Sequence, residues 1–226
     1  MAFDALVSSP TLRARSPAGT PLVSSFATRT NPHPQSTVGI LGFGKIGQLT
    51  LKRLLGFGIG RALYMTSRPG ATLDPSKDYF NLVASSSVEI RAATSLDELA
   101  SESDFLIICC ALTPETQGIV GKDFLSRMKK NAYVVNTARG PVVDSEALAE
   151  AVESGVIAGA GLDVVTGEPN IGADHPLVRQ QKVVLLPHIG SATIETRGLM
   201  GLQAGLNAFA GLELAGGEWV SEVELS

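Results

Sequence analysis

Cysteine is scarce in this sequence: two in 226 residues, and they are neighbours, Cys109 and Cys110. An adjacent pair matches neither a disulfide framework nor a metal knuckle. A buried structural role in a reducing compartment is the expectation. Long apolar runs are also lacking. The longest, Phe105 to Leu112, has eight residues, against the ~18–20 needed to cross a bilayer, so a soluble chain with no membrane partner is expected. There is no excess of positive charge. The formal net charge is −4, which gives no reason to expect nucleic acid or an anionic membrane as partner. Acids are nearly missing from residues 1–35, where Arg13, Arg15 and Arg29 face Asp4 alone among many Ser, Thr and Pro. That stretch has no apolar periodicity and reads as a disordered tail. The alternative is an organellar, for instance mitochondrial, transit peptide. Asp4 and the prolines count against it, and a cytoplasmic location is the expectation.

From Ser36 onward, apolar strand-like runs alternate with helix-like segments, the pattern of βαβ units around a buried parallel sheet. The runs are Thr37–Leu41, Ala62–Thr66, Val88–Ala92, Phe105–Cys109, Ala132–Asn136, Ile157–Val164 and Val183–Leu186. The fourth is apolar on both faces and should be central. A helix is expected over 45–57, with Ile46, Leu49, Leu54 and Leu55 as its inner face. Residues 69–86 read as loop with one helical turn. Ser95 and Glu98 are spaced as a capping box. Lys122–Met128 reads as another helix. Asp144 should cap one that runs to Ser154 and ends at Gly155. A last helix is expected over 193–214, although Gly198, Gly201 and Gly205 each cost it up to ~1 kcal/mol relative to Ala.

Gly42-Phe43-Gly44-Lys45-Ile46-Gly47 is a GxGxxG between the first strand and the first helix, the context that makes this motif informative. Gly42 permits the tight turn, Gly44 admits a pyrophosphate close to the backbone, and Gly47 lets the helix pack on the strand. The helix N-terminus, opening at Lys45 and Ile46, then faces the anion. Gly39 to Lys45 also spells the start of a P-loop, but Ile46 stands where Ser or Thr would hold Mg²⁺. The expectation is therefore an α/β, doubly wound parallel sheet of about seven strands, a Rossmann-type NAD(P)-binding domain over 36–192. A C-terminal helix and tail follow over 193–226. An acid ~20 residues on would select NAD, but the segment here is Tyr64-Met65-Thr66-Ser67-Arg68. Ser67 and Arg68 suit a 2′-phosphate, so NADPH/NADP is expected over NADH/NAD. The plain alternative is that Arg68 is a solvated surface charge.

Three further stretches each follow a strand: Asn136-Thr137-Ala138-Arg139-Gly140, Asp163 to Pro169, and Pro187-His188-Ile189-Gly190-Ser191. In an open parallel sheet these ends form the ligand-binding rim. Arg139, Glu168 and His188 are the set needed to reduce a small 2-keto acid. Arg holds the carboxylate bidentately, His protonates the carbonyl oxygen as hydride arrives, and Glu orients the imidazole. Individually each could be a surface charge, a turn residue or a loop histidine.

The stretches STVGILGFGKIGQ, LTPET, NTARGPVVD, AGAGLDVVTGEP and LLPHIGSAT resemble, in order, the cofactor domain of the D-isomer-specific 2-hydroxyacid dehydrogenases. The glyoxylate/hydroxypyruvate reductase branch is the nearest resemblance. It implies that Arg139 binds substrate, that Glu168 partners the histidine and that His188 is the acid/base. By the same resemblance Asp163 bonds the nicotinamide carboxamide, and Thr113, Ala138 and Gly190 line the cofactor. The family also carries an N-terminal substrate domain and a dimer-building helix, and residues 1–35 resemble neither. The last helix would normally return to that domain. Two readings stay open: a reductase of glyoxylate or hydroxypyruvate, and a truncated, non-catalytic NAD(P)H-binding module. An oligomer is possible without the usual dimer helix, and exposed apolar patches should favour association.

Overall fold

Valine, isoleucine and leucine crowd the strand segments, and such side chains need cover on whichever face of a sheet they point to. The computed structural model describes residues 36–211. Its strands are β1 (Thr37–Leu41), β2 (Arg61–Met65), β3 (Glu89–Ala92), β4 (Phe105–Ile108), β5 (Tyr133–Asn136), β6 (Gly159–Leu162) and β7 (Val183–Leu185). All pair in parallel in the order β3-β2-β1-β4-β5-β6-β7. The doubly wound α/β sheet expected from the sequence is present. Sheet growth reverses between β1 and β4, which makes their carboxyl ends the topological switch point. β4 stands at the centre, and its Leu106, Ile107 and Ile108 are buried, as an apolar run on both faces requires.

The helices are α1 (Lys45–Leu55), α2 (Leu82–Ser85), α3 (Leu96–Glu102), α4 (Lys122–Arg127), α5 (Ser145–Glu153) and α6 (Ile194–Gly211). Alternate strand residues feed two cores. Leu63, Leu106, Ile108 and Val134 join α3, α4 and α5, whereas Val38, Ile40, Tyr64 and Ile107 join Leu51 of α1. Local chemistry starts the helices. The Ser95 hydroxyl accepts from the Glu98 amide at 3.1 Å, and the Asp144 carboxylate accepts from Glu146 and Ala147 at 3.0 and 3.1 Å. Glu98 reaches back to the Thr94 amide, one residue beyond the usual capping-box partner.

Two expectations need correction. The buried residues of α1 are Gly47, Gln48 and Leu51, and Leu54 and Leu55 pack against that core as expected, but Ile46 is 68% exposed. Gly47 packs against the Gly42 carbonyl and Ile40, and that contact sets the helix's rotation. Residues 69–86 contain two turns of helix rather than one, a 3-10 turn at Pro75–Lys77 and α2.

The described residues form two compact units, one running through Pro187 and one beginning at His188. In the second, the Thr193 hydroxyl caps α6 by accepting from the Thr196 amide at 3.1 Å. The expected disordered or targeting segment at 1–35, and the tail beyond α6, lie outside the described residues. Among the described residues no helix is long and apolar enough to cross a membrane.

Candidate active site

The glycine turn begins where β1 ends. Gly42 has φ +96° and its α-carbon faces the Cys109–Cys110 backbone so closely that a β-carbon would strike it. Its amide donates to the Met65 carbonyl at 2.9 Å, and the Cys109 amide donates to Leu41 at 2.8 Å. The turn is thus braced by β2 on one side and β4 on the other. Gly44 differs from both other glycines of the motif: a β-carbon there would meet nothing within 4 Å. It is also the N-cap of α1, brings no side-chain cap, and no acid stands in the helix's first turn. Open space beside a helix N-terminus without its own anion is what a pyrophosphate requires. The residues therefore fit a dinucleotide.

The P-loop alternative fails on the same geometry. Gly39 lies inside β1, in register with Leu63 and Leu106. It packs against Ser103 and Leu99, so it cannot open an anion-binding loop.

Ser67 and Arg68 lie just beyond β2, after Thr66, and are exposed, on a turn where Thr66 Oγ1 accepts from the Arg68 amide at 3.2 Å. Lys45 projects its ammonium over the Tyr79 ring, 5.2 Å from the centroid. Thr113 sits in the turn after β4, where its amide donates to Thr116 Oγ1 at 2.7 Å.

Arg139 is exposed after β5, and its guanidinium donates to the Ala138 carbonyl at 2.7 Å. The turn that carries it is held from beneath. Asn136 is fully buried, donates from Nδ2 to the Arg139 carbonyl at 2.9 Å and accepts at Oδ1 from the Ala138 amide at 3.0 Å. Gly140 lies against the Val165–Thr166 peptide with no room for a β-carbon. The Arg139 turn and the loop leading to Glu168 are therefore packed backbone to backbone. Asp163 is buried at the end of β6, its amide donating to the Asn136 carbonyl at 2.9 Å. Glu168 is half-buried and precedes Pro169 through a cis bond.

His188 opens the second unit. It is exposed, with a left-handed backbone at φ +53°, and Ile189 and Gly190 beside it are exposed too. The structure accordingly brings Gly42, Gly44, Gly47, Ser67, Arg68, Thr113, Ala138, Arg139, Asp163 and Glu168 to the carboxyl ends of one parallel sheet. His188 follows β7 in the chain and is described with its own unit.

The adjacent cysteines have the structural role expected. Cys109 packs against the core that holds Ile40, and Cys110 against the core that holds Leu41, so the two side chains take opposite faces of the sheet. Burial pushes both thiols above their ordinary pKa.

Two buried carboxamides had no role in the sequence reading. Asn136 was only the first letter of a motif, and Gln48 only a polar residue in a helix. The one signal in the text was a polar residue at an inward position of α1.

Sheet order, switch point and an open glycine turn define a dinucleotide-binding domain of the Rossmann class. The family model for the D-isomer specific 2-hydroxyacid dehydrogenase NAD binding domain matches residues 19–190. This chain belongs to that family. The glyoxylate reductase/hydroxypyruvate reductases of Mus musculus and Homo sapiens are each 45% identical over 179 residues, covering 79% of this chain and 50% of theirs. Among solved structures, a glyoxylate reductase from Paecilomyes thermophila aligns with TM-score 0.71 and 34% identity, over 84% of this chain and 53% of that one. An NADPH-dependent glyoxylate/hydroxypyruvate reductase from Sinorhizobium meliloti, in complex with NADP and malonate, gives 0.70 and 32%, over 84% and 53%. The chain spans about half the length of the curated relatives it matches.

Proposed function

We propose that this chain is the cofactor-binding part of a reductase that converts a small 2-keto acid, glyoxylate or hydroxypyruvate, to its D-2-hydroxy acid. The observation that carries the reading is the open Gly44 turn on the same sheet edge as the Arg139 and Glu168 loops. NADPH is preferred over NADH in this reading, because exposed Ser67 and Arg68 follow β2 and no acid lies between Tyr64 and Arg68. The glycine turn, Lys45 and Ile46 would hold the pyrophosphate, with Asp163, Thr113, Ala138 and Gly190 along the rest of the dinucleotide. Bound NADPH would supply the hydride. Arg139 would bind the substrate carboxylate, and the roles that the family pattern gives to Glu168 and His188 are histidine partner and acid/base. His188 delivers the proton to the carbonyl oxygen.

NADPH oxidation by the purified chain with glyoxylate and with hydroxypyruvate tests this. Turnover that disappears in His188→Ala is the expected result. Matched dissociation constants for NADPH and NADH test the cofactor preference, and equal values would sink it.

A second reading is favoured by the open Gly44 turn, since cofactor binding needs the glycine turn and not the catalytic residues. In that reading the chain is a dinucleotide-binding module without catalysis, and tight NADPH binding with no turnover is its signature.

A further inference from the structure

Gln48 is the one large polar side chain of α1 that is fully buried. Burying a carboxamide is costly unless its donors and acceptor are matched, and here they are matched outside the helix. Nε2 donates to the Phe43 carbonyl at 3.1 Å, inside the glycine turn, and to the Lys77 carbonyl at 2.8 Å. Oε1 accepts from the Tyr79 amide at 3.0 Å. One side chain thus joins the phosphate turn to a loop some thirty residues further along the chain.

That loop is clasped at a second point. The buried Tyr64 ring stacks on Phe43 with centroids 4.2 Å apart, and its phenolic oxygen accepts from the Leu73 amide at 2.8 Å. The loop starts directly after Ser67 and Arg68 and ends with Tyr79 beneath the Lys45 ammonium. Phe43 therefore receives both clasps, one at its carbonyl and one at its ring. Lys45, Ser67 and Arg68, three of the candidate contacts to the adenosine phosphates, lie on or beside this connected piece.

We propose that Gln48 is a positioning residue of the dinucleotide site, holding the loop over residues 73–79 against the glycine turn. In doing so it sets affinity for the adenosine-phosphate half of the cofactor. The proposal rests on the reading of Gly42–Gly47 as a pyrophosphate turn. Gln48 itself, buried under the turn, needs no contact with the nucleotide. It acts through Phe43, Lys77 and Tyr79.

The test uses the purified full chain with 2′,5′-ADP and 5′-AMP as probes, titrated by calorimetry. Gln48→Met keeps the side chain's length and apolar packing but removes all three hydrogen bonds. Both nucleotides should bind about tenfold more weakly to it, a change of ~1.4 kcal/mol. Amide exchange separates positioning from mere stability. In the wild-type chain either nucleotide should slow exchange at Leu73 and Tyr79 as well as in the glycine turn. In Gln48→Met the slowing at Tyr79 should vanish while that in the turn remains. Affinities within twofold of wild type overturn the proposal. If Gln48→Met does not fold, the wild-type exchange pattern decides by itself: saturating nucleotide that leaves Leu73 and Tyr79 untouched also overturns it. A wild-type chain that binds neither probe overturns the pyrophosphate reading itself, and this distinct result takes the proposal with it.

Discussion

The buried carboxamide of Asn136 holds both sides of the peptide that carries Arg139, accepting from Ala138 N–H and donating to Arg139 C=O. An arginine that grips a carboxylate through a planar fork depends on where its own backbone points, and this one is set from below by a residue that sees no solvent. Asn136→Leu, similar in volume, should lower unfolding free energy by about 1–3 kcal/mol, the usual cost of a lost buried hydrogen-bond pair. Urea denaturation measures it. A midpoint equal to wild type would show that the turn holds itself.

The three glycines of the turn should separate folding from binding. Gly44→Ala has room for its methyl group, so the melting temperature should stay near wild type while NADPH affinity falls at least tenfold, ~1.4 kcal/mol. Gly47→Ala drives a β-carbon into the Gly42 carbonyl and Ile40 and should cost about 1–3 kcal/mol of stability. Gly42→Ala meets both a backbone clash and a positive φ and should be the least stable. Equal melting temperatures across the set would contradict the packing described for Gly42 and Gly47.

Glu98 anchors an acid-sensitive corner. The Thr94 hydroxyl and amide, then Arg91 at 2.7 Å, bring its pKa from 4.5 down to about 2. A carboxyl whose folded pKa is depressed adds stability that is complete above its unfolded value and fades as pH falls toward the folded one. The advantage of wild type over Glu98→Gln should therefore be level above pH 5 and shrink between about pH 4.5 and 2. Solvent reaches this group, so the plateau should be only about 1 kcal/mol. Paired urea titrations across that range would expose an advantage that instead grows on acidification.

Helix α6 leaves Ile194, Leu199, Met200, Leu202 and Phe209 exposed. In the other unit Val184 of β7 is exposed as well. Apolar surface of this extent favours association. Light scattering should show a mass that rises with concentration, and Leu202→Gln with Phe209→Gln should reduce the rise. A monodisperse species across the same range would argue against it.

The text of the chain carried the elements well because their signals are local. Apolar runs marked all seven strands, Asp144 marked the start of α5, and the double-faced run at Phe105 placed β4 in the sheet's centre. The GxGxxG could be interpreted because a strand stood before it and a helix after it. On α1 the apolar count is right for Leu54 and Leu55, which pack on the core, and fails at Ile46, which faces out. The helix's rotation is set by Gly47, which has no side chain to count and touches the Gly42 carbonyl.

By itself, the sequence determined the alternation of strand and helix, the glycine turn and the residues that end up at the strand ends, since periodicity, caps and turn chemistry act over a few neighbours. Only the tertiary structure decided what supports those residues. Gln48 meets Lys77 and Tyr79, Asn136 underpins the Arg139 turn, and Gly140 lies on Val165. Such bonds join segments whose separation along the chain has no period, and they exist because a buried carboxamide or a close-packed backbone must find its partner wherever the fold brings one.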